Sequence, residues 1–191
     1  MDQILNSKYK CLKNQEFQIN EFKILPIRFE DRYNIMKWRN EQMYHLRQSK
    51  ILNIEDQDLY FVNVVKKLFE QENPNQILFS FLENDKCIGY GGLVHISWID
   101  KNAEISFVMN TELESLYFKK LWNVYLKLIE EVAFNDLKFH KIYTYAFDLR
   151  PKLFEVLELQ EYSKEATLKN HVVHQNNYIN VIIHTKFNKL H

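Results

Sequence analysis

The residue best placed by type and position to do chemistry is a single carboxylate in an apolar strand. Glu104 lies in the segment AEISFVMN, whose side chains alternate between two faces, so that Glu104, Ser106 and Val108 share one of them. Partial burial would raise the pKa of this carboxyl group toward the range that is useful for proton transfer at neutral pH. The alternative is a structural glutamate that makes a salt bridge or a hydrogen bond at the strand edge.

A second set of candidates consists of arginines and their neighbours. Trp38, Arg39 and Asn40 are consecutive, and Arg47 follows them in the same predicted helix. An arginine could pair with a phosphate or carboxylate, and Trp38 could stack on a base or a sugar ring. Arg150 follows the predicted strand KIYTYAFDL and could reach a phosphate in the same way. The alternatives are a tryptophan in the core, solvated arginines and a surface salt bridge.

Histidine and cysteine do not form a predicted metal site. His171 and His174 are three residues apart in a predicted strand, so they point to opposite faces, and no third ligand has suitable spacing. Cys11 and Cys87 are far apart in the sequence and fit reduced thiols. We therefore expect no bound metal and no cysteine that carries an acyl group.

Charge and hydropathy exclude several classes of partner. The 191 residues include 25 Lys and Arg and 25 Asp and Glu, which leaves no basic footprint for nucleic acid and no polybasic cluster for a membrane. The first residues are polar, and no run approaches the roughly 20 apolar residues that span a bilayer. We expect a cytoplasmic protein that binds neither nucleic acid nor membrane, as a monomer or a homodimer.

The hydrophobic pattern predicts one domain over residues 21–191, preceded by an N-terminal extension over residues 1–20. The first predicted elements are a strand ending near Pro26, a helix over residues 32–48 that is irregular toward its end, and a helix capped by Asn53. Three antiparallel strands over residues 77–110 and an amphipathic helix with an apolar stripe from Phe118 to Ala133 follow. The last predicted elements are the strand KIYTYAFDL, a short helix from Pro151 and a closing hairpin. Strands on both sides of each late helix imply crossovers within one mixed sheet.

The three glycines of the chain fall in one predicted strand. Gly89, Gly91 and Gly92 lie together in CIGYGGL. Such a concentration indicates a bulge or a close approach of backbone, which could serve packing or could shape a cleft.

This order of elements resembles the GNAT superfamily of acyl-CoA N-acyltransferases. The resemblance covers about residues 22–188 and is carried, in this order, by ILFSFLENDKCIGYGGL, NAEISFVMN, EEVAF, LKFHKIYTYAFDLRPKLFEVLE and the hairpin ATLKNHVVHQNNYINVIIHTKF. It implies an α/β (α+β) fold with a single mixed, mostly antiparallel central sheet and helices on both faces. It also implies acetyl-CoA as co-substrate and direct transfer of the acetyl group to a primary amine of a small acceptor.

The resemblance assigns expected roles near the thioester. Glu104 takes the position of the base that accepts the amine proton, often through water. The backbone of Phe107, Val108 and Met109 is expected to bind the pantetheine arm like an added strand and to meet the thioester carbonyl. The acid that protonates the thiolate is often a tyrosine in this family, and no tyrosine here is assigned to that role.

The cofactor pyrophosphate is expected at the N-terminus of the next helix, where unpaired N–H groups favour an anion. The loop there, NTELESLYFKK, has no glycine and carries Glu112 and Glu114, which departs from the family pattern. Ser115, Lys119 and Lys120 are expected to compensate in part. The alternative is a helix start that binds nothing.

The acceptor is expected from a narrower resemblance. The element WRNE with a downstream Arg47 resembles the branch that acetylates amino sugars carried on nucleotides, which makes the substrate-binding residues Trp38, Arg39, Asn40, Arg47 and Arg150. The expected setting is surface-polysaccharide synthesis. The alternatives are a protein or peptide amine, since LKNH followed by VIIH also occurs in branches that act on these, and a non-catalytic acyl-CoA-fold module that binds a ligand or a partner.

Overall fold

A single mixed sheet organises the chain in the computed structural model, which describes residues 8–189. The strands are β1 Phe17–Ile19, β2 Phe22–Pro26, β3 Ile77–Glu83, β4 Lys86–Ser97, β5 Asn102–Met109, β6 Lys141–Phe147, β7 Ser163–His174 and β8 Asn177–Phe187. Their spatial order is β1-β2-β3-β4-β5-β6-β8-β7. Every neighbouring pair is antiparallel except β5 with β6, so the predicted mixed, mostly antiparallel sheet is confirmed.

Helices cover both faces of this sheet. They are α1 Arg32–Glu41, α2 Ile54–Tyr60, α3 Lys66–Glu70, α4 Thr111–Glu130 and α5 Pro151–Leu159. A π-helical turn, Phe61–Val65, joins α2 to α3, and a second, Glu131–Asp136, extends α4. The predicted cap of α2 is confirmed, since Asn53 Oδ1 accepts a hydrogen bond from the Asp56 N–H at 2.8 Å.

Side-chain contacts show which helices lie on which face. Phe107 of β5 stacks on Tyr125 of α4, with ring centroids 3.8 Å apart, so this face of the sheet carries α4. The next residue, Val108, pairs with Tyr90 on the opposite face, where the Tyr90 hydroxyl accepts a hydrogen bond from Arg39 of α1. The apolar stripe predicted for α4 is buried, from Phe118 through Ile129. The sheet is therefore sandwiched between α1 and α4.

The predicted helix over residues 32–48 ends at Glu41, so its predicted irregularity toward the end is confirmed. A short 3₁₀ turn, Met43–His45, and an irregular loop replace its second half. The Gln42 side chain donates to the Met109 carbonyl at 2.7 Å, and Asn40 holds the Leu52 backbone through bonds of 2.8 and 2.9 Å. These polar contacts fix the loop against the sheet, so Arg47 lies in a loop and not in a helix.

The glycines of β4 allow close packing of backbone. A Cβ atom on Gly91 would lie 2.0 Å from the Ser106 carbonyl oxygen and 2.4 Å from the Tyr125 hydroxyl. That hydroxyl donates to the same Ser106 oxygen at 2.9 Å. The β3–β4 register also shifts between Phe81 and Leu82, beside Gly89. Gly91 is therefore required by the approach of α4 to the sheet.

The segment predicted as an N-terminal extension packs onto the domain where the structure describes it. Residues 1–7 of that extension lie outside the described residues. Tyr9 is 1% exposed, and its hydroxyl accepts from the Leu78 N–H at 2.8 Å and donates to the Leu78 carbonyl at 3.1 Å. Asp136 accepts hydrogen bonds from the backbone N–H groups of Lys13 and Asn14 at 3.0 and 2.9 Å. The segment therefore links the π turn after α4 to the sheet.

We expect Asp136→Ala to lower the free energy of unfolding by about 1–3 kcal/mol, because the backbone N–H groups of Lys13 and Asn14 lose their buried acceptor. Urea denaturation of the full chain measures this change. Glu131→Ala, on the exposed side of the same π turn, is the control and should leave stability within about 0.5 kcal/mol. Equal stability of the two variants would show that the Asp136 contacts contribute nothing.

Candidate active site

An opening in the sheet lies between β5 and β6. These strands pair at only three positions, Asn102 with Lys141, Ala103 with Ile142 and Glu104 with Tyr143. Beyond Glu104, β5 stays paired with β4 as far as Met109, and β6 stays paired with β8 as far as Phe147. Since each strand follows its other neighbour, the two diverge, and a cleft opens between them.

The edge of β5 that faces this cleft offers free backbone groups. The Asn110 N–H donates to the Ile88 carbonyl at 2.8 Å, so by the alternation of an antiparallel ladder Val108 and Ser106 direct their backbone groups toward β4. Phe107 and Met109 must direct theirs toward the open edge. The Met109 carbonyl is already occupied by Gln42, which leaves the N–H groups of Phe107 and Met109 and the Phe107 carbonyl on the cleft side.

Glu104 lies at the point where the strands separate. It is 5% exposed and sits at the last position where β5 pairs with β6. Its carboxylate forms an ion pair with Arg47, and His95 Nε2 lies 3.8 Å from its other oxygen. Burial raises the pKa of Glu104, and the positive charge of Arg47 and the His95 ring oppose that rise only in part.

His95 is a residue that the sequence analysis did not assign to the site. It lies where the β4–β5 register shifts, between Val94 and Ser97, and its backbone has a left-handed φ of 49°. A histidine with positive φ is uncommon, and here the irregular backbone brings the ring to Glu104. No glycine or proline lies at residues 94–97, so residue type offers no signal for a bulge at His95.

Aromatic side chains extend the surface around Glu104. The Arg47 guanidinium lies 4.5 Å from the centre of the Tyr145 ring, and Tyr143 is paired with Glu104 across the strands. Burial raises the pKa of both tyrosines, which keeps them as neutral phenols. Arg47 thus occupies a place that combines a carboxylate and an aromatic face, which is an environment suited to a cation.

Three of the residues predicted to bind the acceptor, Trp38, Arg39 and Asn40, do not line the cleft, whereas Arg150 does. Trp38 is 4% exposed and belongs to the hydrophobic core, so neither face of its ring is free for stacking. Arg39 donates to Gln48 at 2.9 Å and to the Tyr90 hydroxyl at 2.7 Å. Asn40 is engaged by the loop backbone at Leu52. The i,i+3 spacing of Ile35 and Trp38 places both on the buried side of α1, a pattern that the sequence contains.

At the start of α4, an ion pair neutralises one of the two glutamates that the sequence places there. Glu114 forms an ion pair with Arg150, and both side chains are largely buried, at 14% and 9% exposure. The Arg150 guanidinium also lies over the Phe118 ring, 5.2 Å from its centre. The surface salt bridge considered for Arg150 is therefore a buried one. It neutralises one of the two carboxylates beside the helix N-terminus.

His45 completes this cluster. Its Nδ1 lies 3.3 Å from the Arg150 guanidinium, and its Nε2 lies 3.2 Å from Gln42 Oε1. Burial, reinforced by the charge of Arg150, lowers the pKa of His45 to about 3. The imidazole is therefore neutral at physiological pH and can accept a hydrogen bond from Arg150.

Ser115, Lys119 and Lys120 were expected to offset the acidic residues of the pyrophosphate loop, but they do not all lie near the N-terminus of α4. Ser115 lies at the start of α4 beside Arg150, where its hydroxyl donates to the Glu112 carbonyl at 2.9 Å. Lys119 forms an ion pair with Glu155 at 2.7 Å. Lys120 lies near Glu21 and over the Phe22 ring, on the side of α4 toward β2. Only Ser115 is therefore close to the helix N-terminus.

Within residues 8–189 no three histidine, cysteine, aspartate or glutamate side chains are grouped so that they could hold a metal ion. None of the helices in the same range is long and apolar enough to cross a membrane.

Comparison with known proteins identifies the family. Residues 24–183 match the model of the acetyltransferase (GNAT) domain, and the chain belongs to this family. It is an acetyl-CoA-dependent N-acetyltransferase of the GNAT type.

Solved structures share the fold. A spermidine N-acetyltransferase from Vibrio cholerae, solved with CoA and spermine, is 17% identical with a TM-score of 0.75, over 88% of this chain and 96% of that one. Mutant forms of the spermidine/spermine N-acetyltransferase of the same organism are 16% identical with a TM-score of 0.73, over 88% and 95% of the two chains.

We expect Arg47→Ala to raise the pKa of Glu104 further, because the variant removes the positive charge that stabilises the buried carboxylate. Carbon-13 NMR titration of the glutamate carboxyl groups measures the change. Lys50→Ala, an exposed lysine in the same loop, is the control and should leave the titration unchanged. A Glu104 pKa that falls or stays constant in Arg47→Ala would contradict the ion pair.

Proposed function

We propose that the chain acetylates the primary amine of a small acceptor in the cleft between β5 and β6, with Glu104 as the base. The observation that carries this proposal is the position of one buried carboxylate with a raised pKa at the point where the two strands part. A base with a raised pKa can take a proton from an ammonium group near neutral pH. The free N–H groups of Phe107 and Met109 lie on the same opening.

The reaction follows from these groups. Glu104 removes a proton from the ammonium, and the free amine attacks the carbonyl carbon of the thioester. The backbone N–H groups at the open edge of β5, near Phe107 and Met109, stabilise the oxyanion that forms. As the amide forms, the nitrogen gives its second proton to water, and the C–S bond breaks with its electron pair on the sulfur of CoA.

The proposed site for the CoA phosphates is the start of α4. Backbone N–H groups in the first turn of this 20-residue helix favour an anion there. Arg150, at the start of α5, contributes a positive charge that pairs with Glu114 in this turn, and Ser115 lines the same pocket. Phosphates would compete with Glu114 for Arg150, which is how a glycine-free loop could bind the cofactor.

For the acceptor, we infer a small molecule with a cationic amine. Glu104 and the Tyr145 ring form a cation-binding surface, and the Arg47 guanidinium lies against it. The V. cholerae enzyme with spermine has the same fold, which is consistent with a polyamine-like acceptor.

A nucleotide-linked amino sugar is the second candidate. The burial of Trp38 and the internal bonds of Arg39 removed much of its support. It rests on Arg47 alone, which is 45% exposed and could turn to a phosphate. An exposed peptide amine is not favoured by any contact in the cleft.

An acceptor screen with acetyl-CoA, read by release of free CoA thiol, tests the proposal. We expect turnover with di- and polyamines to exceed that with nucleotide-linked amino sugars and with peptides. Turnover with amino sugars alone would reverse the choice of acceptor. If no CoA bound in calorimetry and no thiol were released with any acceptor, the chain would be a non-catalytic module.

We expect Glu104→Gln to lower kcat by roughly 10²-fold at neutral pH, since the amide cannot accept the amine proton. The acidic limb of the pH–rate profile should disappear with it. Glu55→Gln, an exposed glutamate at the start of α2, is the matched control. A profile that Glu104→Gln leaves unaltered would remove Glu104 from the mechanism.

We expect Glu114→Ala to tighten CoA binding by roughly tenfold, about 1.4 kcal/mol, because the variant frees Arg150 and removes a negative charge. Isothermal titration calorimetry measures the change. Glu112→Ala removes the same charge from an exposed position of the same turn without freeing Arg150, and it should have a smaller effect. Equal effects of the two variants would exclude a role for Arg150.

A further inference from the structure

Two buried polar side chains on the cleft lack hydrogen-bond partners among residues 8–189. They are the Trp122 indole Nε1 of α4 and the Thr144 hydroxyl of β6, each 3% exposed. Buried polar groups are almost always hydrogen-bonded, because an unpaired one costs its full desolvation. Two unpaired donors on the wall of one cleft therefore indicate that a ligand group pairs with them.

Thr144 is the better placed of the two for chemistry. It follows Tyr143, the last residue of β6 that pairs with β5, so it lies where the strands part. Tyr143 and Tyr145 lie on the face of Glu104, and alternation places Thr144 on the opposite face, toward α4 and α5. The hydroxyl therefore lies across the opening from the proposed base.

The neighbouring strand does not satisfy this hydroxyl. Thr144 lies directly opposite His184 of β8 in the sheet register. Both ring nitrogens of His184 also lack partners in the described part of the chain, and that ring stacks on Phe154, away from the cleft lining. The Thr144 hydroxyl thus has no hydrogen-bond partner on the β8 side, and Thr144 is one of the residues that line the cleft.

We propose that Thr144 donates a hydrogen bond to the sulfur of CoA as the acetyl group leaves. The inference rests on the proposed function. The amine takes the carbonyl carbon, Glu104 has taken the ammonium proton, and the C–S bond breaks with its electron pair on sulfur. The sulfur leaves as a thiolate that the Thr144 hydroxyl stabilises, and it takes a proton from water on release. The oxyanion has its donors on β5, so Thr144 on β6 serves the leaving group.

A structural role for this side chain predicts the opposite outcome from a functional one. Valine has nearly the same shape as threonine and a high propensity for strands, and its side chain has no polar atom that could remain unpaired. Were Thr144 only structural, Thr144→Val would be neutral or favourable in every measurement. A threonine that lowers stability and yet supports turnover points to a ligand.

The test compares Thr144→Val and Thr144→Ser with the wild type, using acetyl-CoA and the best acceptor of the screen. We expect Thr144→Val to keep or raise Tm while kcat falls by roughly tenfold or more, with little change in KM for the amine. Thr144→Ser should restore most of kcat. Calorimetry with CoA and with desulfo-CoA isolates the sulfur contact, and the preference for CoA should shrink in Thr144→Val.

Thr185→Val is the matched control. Thr185 is a buried threonine of β8 whose hydroxyl already bonds to Glu165, so this variant should lose stability and retain kcat. If the wild type turns over and Thr144→Val matches it in kcat and in CoA preference, the Thr144 proposal is wrong while the proposed function stands. If the wild type neither binds CoA nor turns over, the proposed function itself fails.

Discussion

The parting of β5 from β6 is the constraint on which the rest of the molecule depends. Each strand is held along its length by its other neighbour, β5 by β4 and β6 by β8, so the two can share only three paired positions. The parallel pair therefore ends inside the sheet, and backbone donors that a continuous sheet would satisfy remain on the β5 edge. Tight packing of α4 through Gly91 and Tyr125 keeps β5 in place from the other side.

Charges at the opening are arranged as internal substitutes for ligands. The Arg47 guanidinium lies against Glu104 and Tyr145, where a cationic acceptor is proposed to bind. The Glu114 carboxylate lies against Arg150, where phosphates are proposed to bind. Each pair lowers the desolvation cost of its buried carboxylate. A cationic acceptor must displace Arg47 from Glu104, and a phosphate must displace Glu114 from Arg150. This competition favours ligands that make more than one contact.

Sequence patterns predicted the parts that depend on local periodicity. The succession of strands and helices along the chain from β2 onward, the apolar stripe of α4, the Asn53 cap and the face that Glu104 shares with Ser106 follow from spacing, and the structure has all four. The irregular loop after Glu41 was only partly anticipated. Its cause is a bond between the Gln42 side chain and the distant Met109 carbonyl, which no local window contains.

Long-range pairing decided the remaining site residues. Arg150 meets Glu114, Arg39 meets Tyr90, and His95 meets Glu104 only after the sheet has formed. Residue type identified Arg39, Glu104 and Arg150 as candidates but could not identify their partners. The burial of Trp38 is predictable from the sequence, because its i,i+3 spacing from Ile35 puts both residues on one helical face. The resemblance of WRNE to a substrate-binding element pointed instead to a functional role for Trp38.

The packing of Tyr9 and Asp136 has a practical consequence for anyone who shortens this chain. The family match begins at residue 24, which suggests a natural place to cut. A protein trimmed there would expose the Leu78 backbone and the Asp136 carboxylate, both of which the N-terminal segment now covers. A shortened protein should therefore keep residues 8–23, because they supply hydrogen-bond partners to Leu78 of β3 and to Asp136 after α4.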